Sequence, residues 1–218
     1  MSLVRVTQFS VSLDGYATGE GQSLEAPFGH AGHRLMEWFS ATRLGHQVHG
    51  DDAPARRGVD DALVSSGWDG SVGAEIMGRR KFWPYPGEWT DDWRGWWGED
   101  PPFHTPVFVL THHPREPMEM EGGTTFHFVD GTPEQVLAQA RDAAGGLDVR
   151  IGGGPTTVRQ FLAAGLVDLL HVAVVPIVLG RGVSLWEGLE GVEADFDIET
   201  VHSPTSGVTH LLFQRKGA

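Results

Sequence analysis

Residues 151–157 read Ile-Gly-Gly-Gly-Pro-Thr-Thr, and this run constrains the fold more than any other. Asp148 to Ile151 before it reads as a short strand, and Val158, Phe161 and Leu162 after it repeat at helical spacing. Glycine lets the backbone turn sharply and proline is pre-set for a helix's first turn, so the chain passes from strand to helix here. Gly165 stops that helix. A second junction of this kind follows the buried run Val72 to Met77, where Gly78-Arg79-Arg80-Lys81 opens the next segment.

The rest of the chain fits the same plan. Leu3 to Val11, Val107 to Thr111 and Thr125 to Val129 have the alternation or β-branched content of strands. Leu35, Trp38 and Phe39, and then Val59, Ala62 and Leu63, have helical spacing, with a polar loop from His46 to Gly58 between them. Thr132-Pro133-Glu134-Gln135 supplies an N-cap, a proline at N1 and a glutamine at N3, with Val136, Leu137 and Ala140 as the buried face and Gly145-Gly146 as the stop. Leu169 to Val178 reads as a core strand, and 198–202 with 208–214 as a closing hairpin. Strands alternating with helices predict one α/β domain over residues 1–218, with a mostly parallel central sheet and a C-terminal β-hairpin.

Composition narrows the partners. The 16 Lys and Arg against 29 Asp and Glu leave a net charge of −13, which argues against nucleic acid as a partner. With no cysteine, disulfides, thiolate metal sites and cysteine nucleophiles are excluded. No apolar run is long enough to span a bilayer, and Met1 to Val6 shows no basic start to a leader, so no membrane association and a cytoplasmic location are expected. His30/His33 and His46/His49 have spacings found in zinc sites but lack a third ligand pattern, so no metal is expected.

Two places can hold an anionic ligand. At Gly152-Gly153-Gly154 backbone amides can approach a phosphate with no Cβ in the way, beside the positive end of a helix; a ligand-free tight turn is the alternative. The cation triplet Arg79-Arg80-Lys81 can grip a phosphate or stand as a solvated face. Both follow predicted parallel strands, at whose carboxyl ends open α/β sheets bind ligands. Asp14, in a turn-forming Asp-Gly pair, and Glu37, on the first helix, are the candidate catalytic acids. The Trp-rich segment 84–106 fits a substrate lid, a subunit contact or a satellite apolar cluster.

Ser12-Leu13-Asp14-Gly15-Tyr16, Ile76-Met77-Gly78-Arg79-Arg80 and Val107 to Thr111 occur in an order that resembles dihydrofolate-reductase-like proteins. Gly152-Gly153-Gly154-Pro155, Leu166-Val167-Asp168 and Pro176 to Gly182 narrow this. They resemble the reductase domain at the C-terminus of the bifunctional riboflavin-biosynthesis deaminase-reductase. The resemblance implies a dihydrofolate-reductase-like three-layer fold, NADPH as cofactor and a homodimer. It places Gly78, Arg79 and Arg80 with Thr111 and His112 at the adenosine 2′-phosphate end. Gly152, Gly153, Gly154, Thr156 and Thr157 come at the pyrophosphate, and Ala17 near the nicotinamide. Tyr16 and Leu169 stand where riboflavin reductases carry a lysine and an acid. The expectation is therefore an NADPH-dependent reductase of a small, heterocyclic substrate, similar to 5-amino-6-(5-phosphoribosylamino)uracil reductase but altered on the substrate side. The alternative is a non-catalytic nucleotide-binding protein of the same fold.

Overall fold

Alternating and β-branched runs become strands, and the capped amphipathic runs become helices, in a computed structural model that describes residues 2–50, 55–89 and 92–217. In chain order the elements begin with β1 (Val4–Ser12), β2 (Tyr16–Thr18), α1 (Glu37–Ser40), α2 (Arg43–His49) and α3 (Val59–Ser66). Next come β3 (Val72–Gly78), α4 (Arg79–Phe82), β4 (Pro106–Leu110), β5 (Met118–Glu119), β6 (Thr125–Val129) and α5 (Pro133–Ala143). The chain closes with β7 (Asp148–Gly153), α6 (Pro155–Ala163), β8 (Leu169–Val175), β9 (Val183–Ser184), β10 (Phe196–His202) and β11 (Thr209–Arg215). Among the described residues the central sheet has nine strands in the order β10-β11-β8-β1-β7-β3-β4-β6-β5, and β2 pairs with β9. The chain forms two compact units, residues 1–5 with 70–167 and residues 6–69 with 168–218.

In the first unit β7, β3, β4 and β6 are parallel neighbours. Their register sets Met77 beside Gly153, Gly78 beside Leu110, and Leu110 beside Val129. Four strands therefore end at one edge, and the residues that follow them are gathered there. The helices bury the faces read from the sequence: Val136, Leu137 and Ala140 on α5, and Val158, Phe161 and Leu162 on α6. Thr132 and Gln135 close a reciprocal capping box, with the Thr132 amide donating to Gln135 Oε1 at 3.0 Å. Such a cap contributes about 1 kcal/mol.

The second unit buries Leu35, Trp38, Val64, Ala173, Val175 and Val208 in one cluster. The C-terminal hairpin forms as expected, with β10 and β11 antiparallel from Phe196↔Arg215 to His202↔Thr209. Strand β8 ends at Val175, earlier than expected, because Pro176 has no N–H to extend a ladder. Part of the expected polar loop is helix: α2 continues to His49, while residues 51–54 lie outside the described residues. Thr42 caps α2 by accepting from the Gly45 amide at 3.2 Å. Asp61, on α3, accepts from the Arg43 amide at 2.9 Å and from its Nε at 2.8 Å. That stabilisation comes from a partner 18 residues away, which local periodicity does not reveal.

A buried polar chain crosses this unit's core. The Gln8 amide donates to His171 Nδ1 at 3.4 Å, so Nε2 carries the His171 proton and donates to His210 Nδ1 at 2.9 Å. His210 Nε2 in turn donates to Asp60 Oδ1 at 2.8 Å, and Ser203 Oγ donates to Asp60 Oδ2 at 2.9 Å. Burial, reinforced by the neighbouring His210, holds the His171 pKa down to about 3. His171 is thus neutral across the physiological range, and each donor along the chain meets an acceptor.

Candidate functional site

The two glycine junctions meet at the carboxyl edge of the first unit. A Cβ on Gly78 would lie 2.1 Å from Thr157 Oγ1 and 3.7 Å from the Gly154 nitrogen. Glycine at 78 is therefore what lets the end of β3 close on the first turn of α6. Gly153 has φ of 111°, a conformation L side chains rarely adopt, and the Gly153–Gly154 peptide is cis. Gly154 is different. Its backbone is extended, at φ −73° and ψ −170°, and a Cβ there would meet nothing within 4 Å. The open space lies at the N-terminus of α6, where unpaired amides favour an anion. Thr156 is exposed and Thr157 buried in that same turn.

Gly152 departs from the expectation that its bareness serves a ligand. A Cβ at 152 would lie 2.1 Å from Glu75 Oε1 and 2.7 Å from Lys81 Nζ, so the space belongs to protein side chains. The cations after Gly78 also divide. Arg79 donates through Nη2 to the Gly87 carbonyl and lies 4.5 Å from the Trp89 ring centroid. Burial, with Arg80 adjacent, lowers its pKa. Arg80 is exposed and enters no ion pair among the described residues. Lys81 turns to the Gly152 carbonyl, 2.7 Å away.

Thr111 and His112 follow β4 at the same edge. Thr111 is buried; its amide donates to the Val129 carbonyl at 2.9 Å, and its hydroxyl accepts from the His113 amide at 3.0 Å. His112 is exposed and pairs through Nδ1 with Asp130 Oδ1 at 2.9 Å. The tryptophans pack on this unit: Trp93 Nε1 donates to the Phe82 carbonyl at 2.7 Å and Trp96 Nε1 to the Lys81 carbonyl at 2.8 Å. Trp97 stacks on Phe126 with centroids 5.9 Å apart. These rings form an aromatic cluster around Phe82 and Phe126.

Asp14, Ala17 and Glu37 belong to the second unit. Asp14 Oδ1 accepts from Ser12 Oγ at 2.6 Å and the Leu179 amide at 3.1 Å, and Oδ2 accepts from the Gly180 amide at 2.6 Å. These bonds, that from Ser12 foremost, hold its pKa at about 2, so near neutrality it has no proton to give. Asp14 thus anchors its turn, the role that its Asp-Gly pair also suggests. Glu37 is exposed in the first turn of α1, where a negative charge suits the helix end. Ala17 is buried in β2, beside the Tyr16↔Ser184 pairing with β9. The nicotinamide role expected of Ala17 rests on the resemblance alone. Among the described residues no group of three or more His, Asp or Glu could hold a metal ion, and no helix is long and apolar enough to cross a membrane. His30 accepts from the Glu20 amide at 2.9 Å and so organises its own loop.

The network of Glu75, Lys81 and Arg150 behind the glycine turn was not singled out from the sequence. Its signal was present: a glutamate inside the buried run 72–77 and an arginine inside the run 148–151. Only register makes them partners, since Glu75 stands opposite Arg150.

The mostly parallel α/β sheet, with glycine junctions at its carboxyl edge, has a dihydrofolate-reductase-like fold. The chain belongs to the RibD C-terminal domain family, whose model matches residues 5–210. Its fold is similar to that of a Shewanella sp. PV-4 protein assigned to riboflavin biosynthesis, at 23% identity and a TM-score of 0.56, over 99% of this chain and 98% of that one. It is also similar to Enterococcus faecalis dihydrofolate reductase complexed with NADP(H) and RAB-propyl, at 12% identity and a TM-score of 0.50, over 99% and 96%. A third similar structure is the Thermotoga maritima diaminohydroxyphosphoribosylaminopyrimidine deaminase/5-amino-6-(5-phosphoribosylamino)uracil reductase, at 14% identity and a TM-score of 0.52. The match covers 98% of this chain but 56% of that bifunctional enzyme. No curated protein matches the chain.

Proposed function

We propose that the protein is a reductase that uses NADPH to reduce a small heterocyclic substrate of the pyrimidine or pteridine kind. The observation that carries this reading is the bare space at Gly154, open on its Cβ side at the N-terminus of α6 and bounded by the closely packed Gly78 and Thr157. Family membership and the neighbouring reductases support the same reading.

When bound, NADPH supplies the hydride. The chain's own part is to bind and orient. The first-turn amides of α6 and the hydroxyls of Thr156 and Thr157 suit a diphosphate. Exposed Arg80 at the end of β3, and His112 after β4, suit the phosphate on the adenosine ribose, while Arg79 braces the adjoining Gly87 to Trp89 loop. Titrating NADPH and NADH into the protein, then following nicotinamide oxidation over pyrimidines, pterins and small carbonyls, tests the proposal. Absence of binding by either cofactor refutes it. One observation favours the non-catalytic alternative: Asp14 is committed to three acceptor bonds and Glu37 stands in solvent, so neither is poised to donate a proton. NADPH binding with no turnover of any substrate selects that alternative.

A further inference from the structure

Residues 186–194 read Trp-Glu-Gly, Leu-Glu-Gly, Val-Glu-Ala, a triplet repeat of apolar, acidic and small residues within the second unit. The Leu189 amide donates to the Trp186 carbonyl and the Val192 amide to the Leu189 carbonyl, each at 3.1 Å. Two successive turns result, and the third residue of each is a glycine of positive φ, 74° at Gly188 and 84° at Gly191. The repeat thus brings an apolar residue to the same point of each turn and leaves Glu187 and Glu190 exposed at the tips. On the sheet, β10 and β11 set Ile198 opposite Phe213, so the two share one face. The Trp186 ring lies over that face, its centroid 6.1 Å from that of Phe213. Coverage is incomplete. A hollow of about 380 Å³ is walled by Trp186, Leu189, Ile198 and Phe213, and Ile198 stays exposed. That volume is in the range of small-molecule sites.

Charge selects what such a hollow takes. Glu190 and Glu193 also line it; both are exposed, and among the described residues neither enters an ion pair. The cations close by in the chain are turned elsewhere. Arg215 lies 4.6 Å over the Phe196 ring and 3.4 Å from Asp195 Oδ2, and Lys216 donates to the Ala194 carbonyl at 2.8 Å. Neither lines the hollow. The stacking of Arg215 on Phe196 is already a cation against an aromatic ring on this face. Aromatic walls with carboxylates beside them, in a chain of net charge −13, attract cations and repel anions. The apolar walls demand an apolar body on the same ligand. A strand added along β10 would pair in the plane of the sheet and leave this face open.

We propose that the hollow binds a small organic ammonium ion, its apolar body against Trp186 and Phe213 and its charge toward Glu190 and Glu193. This does not depend on the dinucleotide reading. The indole N–H resonances of full-length protein carrying isotopically labelled tryptophan report on the site, and Trp186→Phe assigns the Trp186 signal. The probes are phenethylammonium, neutral phenethyl alcohol and anionic phenylacetate, which share one apolar body. Phenethylammonium should move the Trp186 resonance saturably and bind at least about tenfold tighter than the alcohol, with phenylacetate weaker still. Glu190→Gln combined with Glu193→Gln should remove most of that preference at an unchanged Tm, because both residues are exposed. Equal binding of the amine and the alcohol overturns the proposal, since the hollow then selects apolar surface alone. So does a full preference retained in the double variant, or a Trp186 resonance unmoved by about 10 mM amine. A Trp186 resonance that shifts on dilution without amine also overturns it, because a second copy then fills the hollow.

Discussion

Replacing Gly154 by valine separates a ligand cradle from a mere turn. Residue 154 precedes Pro155, which already restricts it to extended backbone, and its φ of −73° with ψ of −170° suits a β-branched residue. With nothing within 4 Å of the new Cβ, the side chain meets no protein atom at its root. The folded state should therefore change by no more than about 0.5 kcal/mol, as for surface substitutions, with a small gain from the stiffer unfolded chain. In a chain of this size that is a Tm shift of about 2 °C or less. The same side chain occupies the space a diphosphate needs, so NADPH affinity should fall at least tenfold, about 1.4 kcal/mol. Gly78→Ala is the contrasting variant: its Cβ would come 2.1 Å from Thr157 Oγ1, an overpacking worth about 1–3 kcal/mol. That corresponds to a Tm loss of about 2–12 °C. Thermal melts and NADPH fluorescence titrations on both variants decide the matter. Normal NADPH affinity in folded Gly154→Val protein would refute the reasoning, whatever its Tm.

The remaining predictions concern charge, acid stability and assembly. Arg80→Ala should weaken NADPH about tenfold or more while leaving NADH nearly unchanged, since a charge-assisted bond to the extra phosphate is lost; Kd measurements showing equal losses for both cofactors would contradict it. Native stability should fall as pH drops from about 6.5 toward 3, because the unfolded chain takes up a proton on His171 that the folded protein resists down to about 3. His171→Gln should flatten that slope in urea unfolding series, and an unchanged slope would show that other groups set it. We propose that the chain forms a homodimer through β10, which lies at the end of the sheet and leaves Ile198 46% exposed beside a hollow lined by Trp186, Leu189 and Phe213. Sedimentation giving a monomer mass at all micromolar concentrations would rule that out.

What the sequence determined by itself was whatever short-range physics governs. The strand-to-helix passage at 151–157 follows from glycine freedom and a proline at N1, and the start of α5 from a capping box contained within four residues. The buried faces of α5 and α6 follow from helical periodicity, and the C-terminal hairpin from two apolar runs around a short polar turn. Tertiary structure decided which side chains meet, because that depends on register and on segments far apart in the chain. Asp14 could be seen as a turn residue, but its partners Leu179 and Gly180 lie 165 and 166 positions away, and their amides join Ser12 in holding its carboxylate. The polar chain from Gln8 through His171 and His210 to Asp60 draws on four separate elements. Arg79 and Lys81 belong to one cationic triplet, yet Arg79 turns to Gly87 and Trp89 while Lys81 turns to Glu75 and Gly152. Nothing local distinguishes them. The parallel register that sets Glu75 opposite Arg150 does, since it fills the ground beneath the glycine turn with charge before any ligand arrives.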